Sequence, residues 1–239
     1  MNYIFDVDGT LTPSRARIDE DFRQWFLEFA RWNNVYLVTG SDRSKTEEQV
    51  GEEIFKQVEC VYNSSGNTKY KNGVSVYSTK NLELPEVAHK FLVKKMISTD
   101  FDIATGNHFE SRPGLLNFSV VGRNANRVQR NKYVEFDTLT KERQTISDEF
   151  NEKFSKKFNI VSQVAGETGL DIIEIGKDKA QILKDFTFQD SLIFFGDNIQ
   201  PGGNDYGIAQ VIEYGPYRYT ECHNVKNWKE TWKILKRFK

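Results

Sequence analysis

Short apolar runs that stop at Gly, Asp, Ser or Asn alternate with segments of helical period near both ends of the chain. This alternation is typical of βα units around a parallel sheet. The predicted strands cover residues 3–7, 35–39, 60–62, 192–195 and 211–214. The predicted helices cover residues 18–32, 43–55, 179–186 and 203–209. The two ends of the chain therefore predict an α/β fold with a Rossmann-like core built on a parallel sheet.

The pattern changes between about residues 79 and 173. Strands such as 116–121 occur here beside a long polar helix at about 138–158. Antiparallel strands joined to helices predict an α+β insertion rather than further βαβ units. We therefore predict a catalytic core formed by 1–78 and 174–239, and a cap domain, 79–173, that binds substrate.

The composition excludes some classes of partner. The 33 Lys and Arg residues nearly balance the 34 Asp and Glu residues, so no global field attracts the protein to nucleic acid or to an anionic membrane. No apolar stretch approaches the ~18 residues of a membrane span, and the two cysteines lack CxxC spacing. We expect a cytoplasmic protein without nucleic acid or membrane partners. Trp228, Trp232 and Leu235 lie at helical spacing and favour a packing helix over a nucleic-acid-binding tail.

Two carboxylates follow the first predicted strand in the stretch FDVDGTLTPSR. Ligands of open α/β sheets bind beyond the carboxyl ends of the strands, which is where Asp6 and Asp8 lie. The two-residue period of a strand turns both side chains to the same side, so the pattern predicts a paired-carboxylate site. A lone aspartate here would more simply cap a helix, but DxDGT and the motifs that follow it favour chemistry.

DxDGT and those later motifs, in their order along the chain, resemble the haloacid-dehalogenase-like phosphohydrolases. The resemblance implies that Asp6 is the nucleophile that becomes an aspartyl phosphate. It also implies that Asp8 protonates the leaving oxygen and later activates the acceptor. A carboxylate meets a phosphate at ~4 Å with about 4 kcal/mol of repulsion per pair of unit charges at an effective dielectric near 20. Positive partners are therefore needed.

Further motifs supply such partners. Lys179 in GKDKAQIL matches the phosphate-neutralising lysine of the superfamily. Thr39, Gly40 and Ser41 in VTGSD match the loop that holds the phosphoryl oxygens. Taken alone, Lys179 would be a surface lysine in the first turn of a helix, but its place between VTGSD and GDN favours the catalytic role.

The resemblance also implies a Mg²⁺ ion, which prefers hard oxygen ligands and a phosphate partner. Its ligands would be Asp6, the backbone carbonyl of Asp8, and Asp197 in FFGDNIQPGGND. Asn204 and Asp205 would orient the groups around the metal. We assign no second metal.

The predicted cap contains the stretch ESRPGLLNFSVVGRNANRVQR, with Arg112, Arg123 and Arg130. Arginine suits bidentate capture of a phosphate, although scattered surface arginines are the simpler interpretation of these residues alone. The stretch resembles the cap of the eukaryotic-type phosphomannomutases, where arginines occur in F-R-N-G, G-R-S and E-E-R-I contexts with the same separations. Arg15 also matches a substrate arginine of that family.

This second resemblance implies interconversion of a hexose 1-phosphate and a hexose 6-phosphate, of mannose or glucose, through a hexose bisphosphate. Hexose 1,6-bisphosphate is the implied activator, and Asp171 would bond a sugar hydroxyl. The residues implied to bind substrate are Arg15, Thr39, Gly40, Ser41, Arg112, Arg123, Arg130, Gly169 and Asp171.

Three departures from the family pattern keep other functions open. Gly169 stands where the family has a serine, Pro113 replaces an asparagine, and Thr39 replaces a glycine. Thr39 is similar to the threonine of sugar-phosphate phosphatases, so Mg²⁺-dependent hydrolysis of a sugar phosphate is the alternative. A sugar-phosphate-binding protein without chemistry is a third hypothesis, against which the complete set of catalytic motifs argues.

The resemblance further implies a homodimer formed through the cap. Phe91, Leu115 and Leu116 would supply either that dimer surface or the core of the cap. The sequence alone leaves these two interpretations open.

Overall fold

A computed structural model describes residues 1–238 of the chain. The residues group into two compact units. The core unit comprises Met1–Thr79 and the C-terminal residues from Gly176 onward, and the cap unit comprises Lys80–Ile175. The boundaries expected from the sequence were 79 and 173, and the substrate-binding role of the cap remains a prediction.

The elements alternate along the chain in the order expected for βα units at both ends. The strands are β1 (Asn2–Phe5), β2 (Asn34–Val38), β3 (Cys60–Asn63), β4 (Thr68–Lys71), β5 (Val74–Ser78), β6 (Phe109–Arg112), β7 (Leu115–Phe118), β8 (Ile160–Ala165), β9 (Gly169–Glu174), β10 (Ser191–Gly196) and β11 (Tyr219–Asn224). The α-helices are α1 (Glu20–Trp32), α2 (Arg43–Val50), α3 (Glu52–Gln57), α4 (Glu86–Ile97), α5 (Arg127–Thr140), α6 (Glu142–Phe158), α7 (Tyr206–Tyr214) and α8 (Trp228–Leu235). Short 3-10 helices cover Ser64–Gly66, Lys179–Asp185 and Lys236–Phe238.

The core unit contains a seven-stranded sheet in the order β11-β10-β1-β2-β3-β4-β5. The strands from β11 to β3 run parallel, and β4 and β5 continue the sheet as an antiparallel hairpin. All four residues of β1 are buried, as expected for a central parallel strand covered on both faces. Four of the five predicted strands are present. The fifth, at 211–214, is wrong because these residues belong to α7.

Two predicted helices are each divided by a left-handed residue. Gly51, with a φ of +87°, ends α2 and precedes α3, so the predicted helix 43–55 is two helices. Lys141, with a φ of +56°, separates α5 from α6 within the polar helix expected at 138–158. The predicted helix at 179–186 is a 3-10 helix, and the one at 203–209 begins only at Tyr206.

Apolar side chains cover both faces of the core sheet. On one face the ring of Phe22 in α1 stacks on Trp232 and Trp228 of α8, with centroids 5.3 and 5.9 Å apart. This contact confirms the predicted packing helix at the C-terminus. On the other face Ile182 and Ile208 pack beneath the sheet from the 3-10 helix at 179–185 and from α7.

The cap unit is an α+β structure. Its antiparallel sheet has the order β6-β7-β9-β8, and α4 and α6 pack against one face with the rings of Phe118 and Phe150 buried between them. Leu115 and Leu116 are buried, and Phe91 packs edge-on against Phe154 with ring centroids 5.5 Å apart. Leu116 and Phe91 therefore belong to the apolar cluster of the cap, Leu115 is buried on the other face of the sheet, and the dimer itself remains a prediction. Within residues 1–238, no helix has the length and apolar content required to cross a membrane.

Candidate active site

Asp6 follows β1 directly and lies at the carboxyl end of the core sheet. Its backbone N–H donates to the carbonyl of Phe195 at 2.9 Å, which continues the pairing with β10 by one residue. The side chain is only 3% exposed, and the hydroxyl of Thr10 donates to its Oδ2 at 3.4 Å. The central position of β1 therefore places a buried carboxylate where open α/β sheets bind their ligands.

Lys179 reaches this carboxylate from the other half of the core unit. Its Nζ lies 2.5 Å from Oδ1 of Asp6 and 2.6 Å from Oδ1 of Asp205, with all three side chains buried. Burial alone would lower the pKa of Lys179, but the charges of Asp205 and Asp6 raise it. The lysine is therefore a permanent positive charge beside Asp6. Asp178 accepts from the N–H of Ala180 at 2.8 Å and caps the 3-10 helix that begins at Lys179.

Three carboxylates converge at the same point. Asp6, Asp197 and Asp205 each offer an oxygen, and these oxygens all lie within 4.8 Å of one another. Burial raises the pKa of Asp6 well above its usual range, and burial with the charge of Asp205 raises the pKa of Asp197 to about 7. Three acidic groups against one ammonium leave excess negative charge, and hard oxygens are the ligands of Mg²⁺. The residues present therefore fit a divalent cation.

The glycine of DxDGT is required by this arrangement. Gly9 has a φ of +82°, and a Cβ added there would lie 2.1 Å from Oδ2 of Asp197. A side chain at this position would displace one of the three carboxylates. The glycine therefore allows the loop after β1 to approach Asp197 closely.

Asp8 has a different environment from Asp6. Its Oδ1 accepts from the backbone N–H of Arg15 at 2.8 Å and from Nε2 of Gln49 at 2.9 Å. Its Oδ2 accepts from the hydroxyl of Ser41 at 3.2 Å, and Nζ of Lys45 lies 3.7 Å away. Burial alone would raise the pKa of Asp8, but Lys45 and these three donors lower it. The Asp8 carboxylate is thus oriented by several donors, whereas Asp6 is paired with Lys179.

Hydrogen bonds from backbone N–H groups to the oxygens of Thr39 hold the VTGSD loop in place. Oγ1 of Thr39 accepts from the N–H of Ser41 at 3.1 Å, and the carbonyl of Thr39 accepts from the N–H of Ser65 at 2.9 Å. Gly40 is half-buried between these two buried residues. Asp42 caps α2 by accepting from the N–H of Lys45, so the loop leads directly into a helix. The hydroxyl of Thr39 therefore has a structural role, since it fixes the loop by accepting a hydrogen bond from Ser41.

The sequence analysis did not identify Lys45 and Gln49 as site residues. They lie four residues apart on α2, which places both on one side of the helix, and Ser41 lies just before the N-cap of that helix. That spacing, directly after the VTGSD motif, is a signal that could have identified Lys45 and Gln49. Asp205 was expected only to orient groups around the metal, but it contacts Lys179 and belongs to the carboxylate cluster. Asn204 lies farther out, and its Oδ1 accepts from Nδ2 of Asn198 at 3.4 Å.

The cap unit carries a polar row across its sheet. Strand register places Glu110, Asn117, Asp171 and Gln163 directly opposite one another on β6, β7, β9 and β8. Opposed residues of neighbouring strands point to the same face, so these four side chains share the face opposite the apolar core of the cap. Arg112 lies two residues beyond Glu110 and points to the same side.

Two of the predicted arginines join this row. Arg112 and Arg123 bind the two oxygens of Glu110, each at 2.6 Å. NH1 of Arg123 donates to Oδ1 of Asn117 at 2.9 Å, and Nδ2 of Asn117 donates to Oδ1 of Asp171 at 2.6 Å. Burial and the neighbouring guanidinium of Arg112 lower the pKa of Arg123. Two guanidinium groups crowded onto one carboxylate form a suitable site for a further anion.

Arg130 is placed differently. It projects from the first turn of α5, is 5% exposed, and donates from NH2 to Glu167 at 3.0 Å. Arg127 binds the same carboxylate at 3.1 Å. Among residues 1–238, no partner bonds to the buried NH1 of Arg130. The structure thus joins Arg112, Arg123 and Asp171 in one network and pairs Arg130 with a separate carboxylate.

Three further positions singled out from the sequence are Arg15, Pro113 and Gly169. Arg15 lies in the core unit with a φ of +56° and contributes its backbone N–H to Asp8. Pro113 lies in the two-residue turn between β6 and β7, where no ladder N–H is required. Gly169 begins β9 opposite Ala165 and offers only backbone groups. No sequence motif marked Glu110 and Asn117, because strand pairing and not spacing determines their partners. Glu167 was also not marked, because it reaches Arg127 and Arg130 of α5 from the distant turn between β8 and β9.

Comparisons with known proteins agree on one family. The sequence model of the eukaryotic phosphomannomutase family matches residues 22–238. A phosphomannomutase from Spinacia oleracea is 32% identical over 210 residues, covering 86% of this chain and 84% of that relative. Phosphomannomutase 2 from Dictyostelium discoideum is 31% identical over 242 residues, covering 98% of this chain and 95% of that relative.

Solved structures of phosphatases are similar in fold. The IMP-bound, N-terminally truncated IMP-nucleotidase of Plasmodium falciparum superposes with a TM-score of 0.63 and 17% identity, covering 98% of this chain and 67% of that chain. The C-terminal domain of the C. albicans trehalose-6-phosphate phosphatase gives a TM-score of 0.63 and 16% identity, covering 89% and 73%. At this level of identity the similarity concerns the fold alone, and it confirms the predicted α/β fold with a Rossmann-like parallel-sheet core.

Proposed function

The chain belongs to the eukaryotic phosphomannomutase family, and from this premise we propose that it interconverts a hexose 1-phosphate and a hexose 6-phosphate. Mannose phosphate is the first substrate to test, with glucose phosphate beside it. One observation carries the proposal: a buried carboxylate, Asp6, is paired with Lys179 beside two further carboxylates, as phosphoryl transfer to an aspartate requires.

In the proposed first step, an oxygen of Asp6 attacks the phosphorus of a hexose bisphosphate. The bond from phosphorus to the sugar oxygen breaks, and the leaving oxygen takes a proton from Asp8, which the negative charge of the bound phosphate would keep protonated. Lys179 offsets charge on the transferring group, since one ammonium at ~4 Å offsets about 4 kcal/mol of repulsion at an effective dielectric near 20. The backbone and hydroxyl groups of Thr39, Gly40 and Ser41 would hold the phosphoryl oxygens.

In the second step the free 6-hydroxyl of a hexose 1-phosphate attacks the phosphorus held on Asp6, which forms a bisphosphate. Asp8, with the proton already given to the first oxygen, removes the proton of the attacking hydroxyl. The phosphorus bond to Asp6 then breaks, and the free carboxylate is restored. This bisphosphate then reorients and gives its 1-phosphoryl group to Asp6 as in the first step, which leaves hexose 6-phosphate. Asp8 is held by Gln49, Ser41 and the N–H of Arg15, and this favours a single orientation in both steps.

We propose Mg²⁺ as the cation, held by Asp6, the backbone carbonyl of Asp8, and Asp197, with Asp205 adjoining. When bound, the ion would keep the crowded carboxylates ionised and would polarise the phosphoryl oxygens. Hexose 1,6-bisphosphate is proposed as the activator that first phosphorylates Asp6.

We assign substrate binding to the cap arginines and to Arg15. Arg112, Arg123 and Arg130 would hold the phosphate that is not reacting, because guanidinium groups bind phosphate in a bidentate manner. Asp171 would accept a bond from a sugar hydroxyl, and Gly169 would leave room beside it. We also propose a cytoplasmic location, since both cysteines of the chain are free thiols.

Product analysis tests the proposal. Mannose 1-phosphate, Mg²⁺ and a trace of hexose 1,6-bisphosphate are incubated with the protein, and we expect mannose 6-phosphate, with glucose 1-phosphate run in parallel. Release of inorganic phosphate without the isomer would overturn the mutase assignment in favour of sugar-phosphate hydrolysis. The Asp6→Asn variant should lose both activities by at least about 10⁴-fold, because the nucleophile is absent. An unchanged circular dichroism spectrum would show that this variant is folded, and turnover by it would exclude Asp6 as the nucleophile.

A further inference from the structure

Asn117 connects two groups to which substrate binding has been assigned. Its Oδ1 accepts from NH1 of Arg123 at 2.9 Å, and its Nδ2 donates to Oδ1 of Asp171 at 2.6 Å. The side chain is 4% exposed and lies between these partners on the polar row of the cap sheet. The orientation of the Asp171 carboxylate thus depends on an amide that Arg123 holds in place.

Only an amide of this length satisfies both partners. Arg123 requires an acceptor and Asp171 requires a donor, and asparagine supplies one of each in a fixed plane. An aspartate would keep the acceptor but would face Asp171 with a second negative charge. An apolar residue would leave a buried charged group without its partner, which is costly in a low-dielectric site.

Gly169 provides an independent observation. A Cβ built on Gly169 would lie 2.7 Å from Nδ2 of Asn117 and 3.3 Å from the carbonyl of Ala165. Its φ lies outside the left-handed region, so the backbone itself does not require a glycine here. Nδ2 is the end of a short side chain that is bonded at both ends, so it cannot move aside without losing Asp171 or Arg123.

We infer that Asn117 is a positioning residue of the sugar-binding face, and that Gly169 lacks a side chain because the Asn117 amide occupies the space beside it. The inference rests on the proposed function, because Arg123 and Asp171 are assigned to substrate there. It adds that phosphate capture and hydroxyl recognition are coupled through one amide, so that displacing this amide weakens substrate binding without affecting the chemistry at Asp6.

The test is a double-mutant cycle with Asn117→Ala, Gly169→Ala and the double variant, assayed with the hexose 1-phosphate that the wild type converts. Each single variant should raise KM by about 10-fold, with kcat changed less than about 3-fold. The double variant should have the KM of Asn117→Ala within about 3-fold, because the added methyl group then meets no amide. KM effects that multiply, or a wild-type KM for Gly169→Ala, would overturn the inference.

Two further variants separate positioning from general damage to the cap. Asn117→Asp keeps the acceptor for Arg123 but repels Asp171, so it should raise KM as much as Asn117→Ala does. A wild-type KM for Asn117→Asp would assign Asn117 a merely structural role. The control is Gly166→Ala. Gly166 lies in the turn that leads from β8 to Gly169, and a Cβ added to it would meet nothing within 4 Å. Its φ of +54° makes it a control for backbone strain, and it should leave KM within about 3-fold of wild type.

The cycle can also be measured without substrate turnover. Introducing Gly169→Ala should lower the melting temperature more in the wild-type background than in the Asn117→Ala background. If the protein releases phosphate instead of isomerising the sugar, the same KM series is measured on hydrolysis. The proposed mutase function would then fail while the assignment of Asn117 is still tested. Equal melting shifts in the two backgrounds would exclude the collision between Gly169 and Asn117.

Discussion

Two carboxylates that stand two residues apart have opposite environments in this protein. Asp6 is paired with Lys179 among other carboxylates, and its burial raises its pKa. Asp8 is surrounded by donors and a lysine, which lower its pKa. The proposed nucleophile needs a positive partner that balances its charge, and the proposed proton carrier needs a fixed orientation, so the two environments match the proposed roles.

Gln49 is the residue through which the orientation of Asp8 can be tested. Gln49→Met keeps the volume but removes the donor to Oδ1 of Asp8. We expect kcat to fall by about 10-fold with little change in KM, since loss of such a supporting hydrogen bond typically costs this much. Gln24→Met, which removes a single exposed bond to Glu20, is the matched control. Steady-state kinetics with the wild-type kcat for Gln49→Met would show that Asp8 needs no such support.

At this scale the sequence motifs indicate residue types well and their partners poorly. DxDGT marked Asp6 and Asp8 because their chemistry demands that spacing. Lys179 is 173 positions from Asp6 and was identified by motif order rather than by any physical pattern. Glu110 and Asn117 were missed because a strand register, which the sequence does not determine by itself, makes them neighbours.

Among the elements, the 3-10 helix at 179–185 determines where Lys179 stands. Two of its residues, Gln181 and Asp185, form hydrogen bonds with the neighbouring segment of β3 and β4. Nε2 of Gln181 donates to the carbonyl of Ser65 at 2.8 Å, and Asp185 accepts from Tyr62 and Lys69, each at 2.7 Å. A short 3-10 helix has little stability of its own, so these external bonds hold it.

Asp185 makes this support dependent on pH. Burial alone would raise the pKa of Asp185, but the bonds from Lys69 and Tyr62 lower it. An acid with a lowered folded pKa stabilises the fold above its unfolded pKa, near 3.9, and loses that contribution as pH falls through the folded pKa. Asp185→Asn should therefore cost about 1 kcal/mol of unfolding free energy at pH 7, and less below about pH 4.

Denaturant unfolding of wild type and Asp185→Asn across this pH range measures the difference. Asp102→Asn, an exposed carboxylate of the cap unit, is the control and should be close to wild type throughout. A stability difference that stays constant from pH 7 to pH 3 would mean that the charge of Asp185 is not what holds the helix.

The misassigned element shows where apolar patterns mislead. Three of the four residues VIEY at 211–214 are β-branched or aromatic, and the segment was predicted as a strand. They lie in α7 because Ile208, Ala209 and Ile212 form one buried helical face. The true edge strand, β11, reads YTECHN and is only partly buried, so its sequence lacks an apolar run. Tertiary position outweighed local propensity in both cases.

The acidic cluster predicts how the whole molecule responds to metal. Binding to the folded state alone raises unfolding free energy by about 2.7 kcal/mol when the free ion is at 100 times its dissociation constant. We expect Mg²⁺ to raise the melting temperature by about 5 °C or more relative to chelator-treated protein. Asp197→Asn should lose most of this shift.

Differential scanning fluorimetry with and without Mg²⁺ measures the effect without any sugar phosphate present. Asp185→Asn, which lies outside the cluster, should keep the full Mg²⁺ shift and so serves as the control. An equal Mg²⁺ shift in wild type and Asp197→Asn would remove Asp197 from the metal site.

The order of the strands in the core sheet determines when Asp6 can reach its final environment during translation. The backbone of Asp6 bonds to Phe195, whereas the cap unit is one continuous segment, Lys80–Ile175. At about 5–20 residues per second, β1 waits about 10 to 40 s for its partner β10 to be translated. All residues of the cap unit are translated within that interval. Asp6 therefore reaches its final setting among the last events of translation, so a chain truncated before β10 would contain every residue of the cap but would lack the pairing that places Asp6.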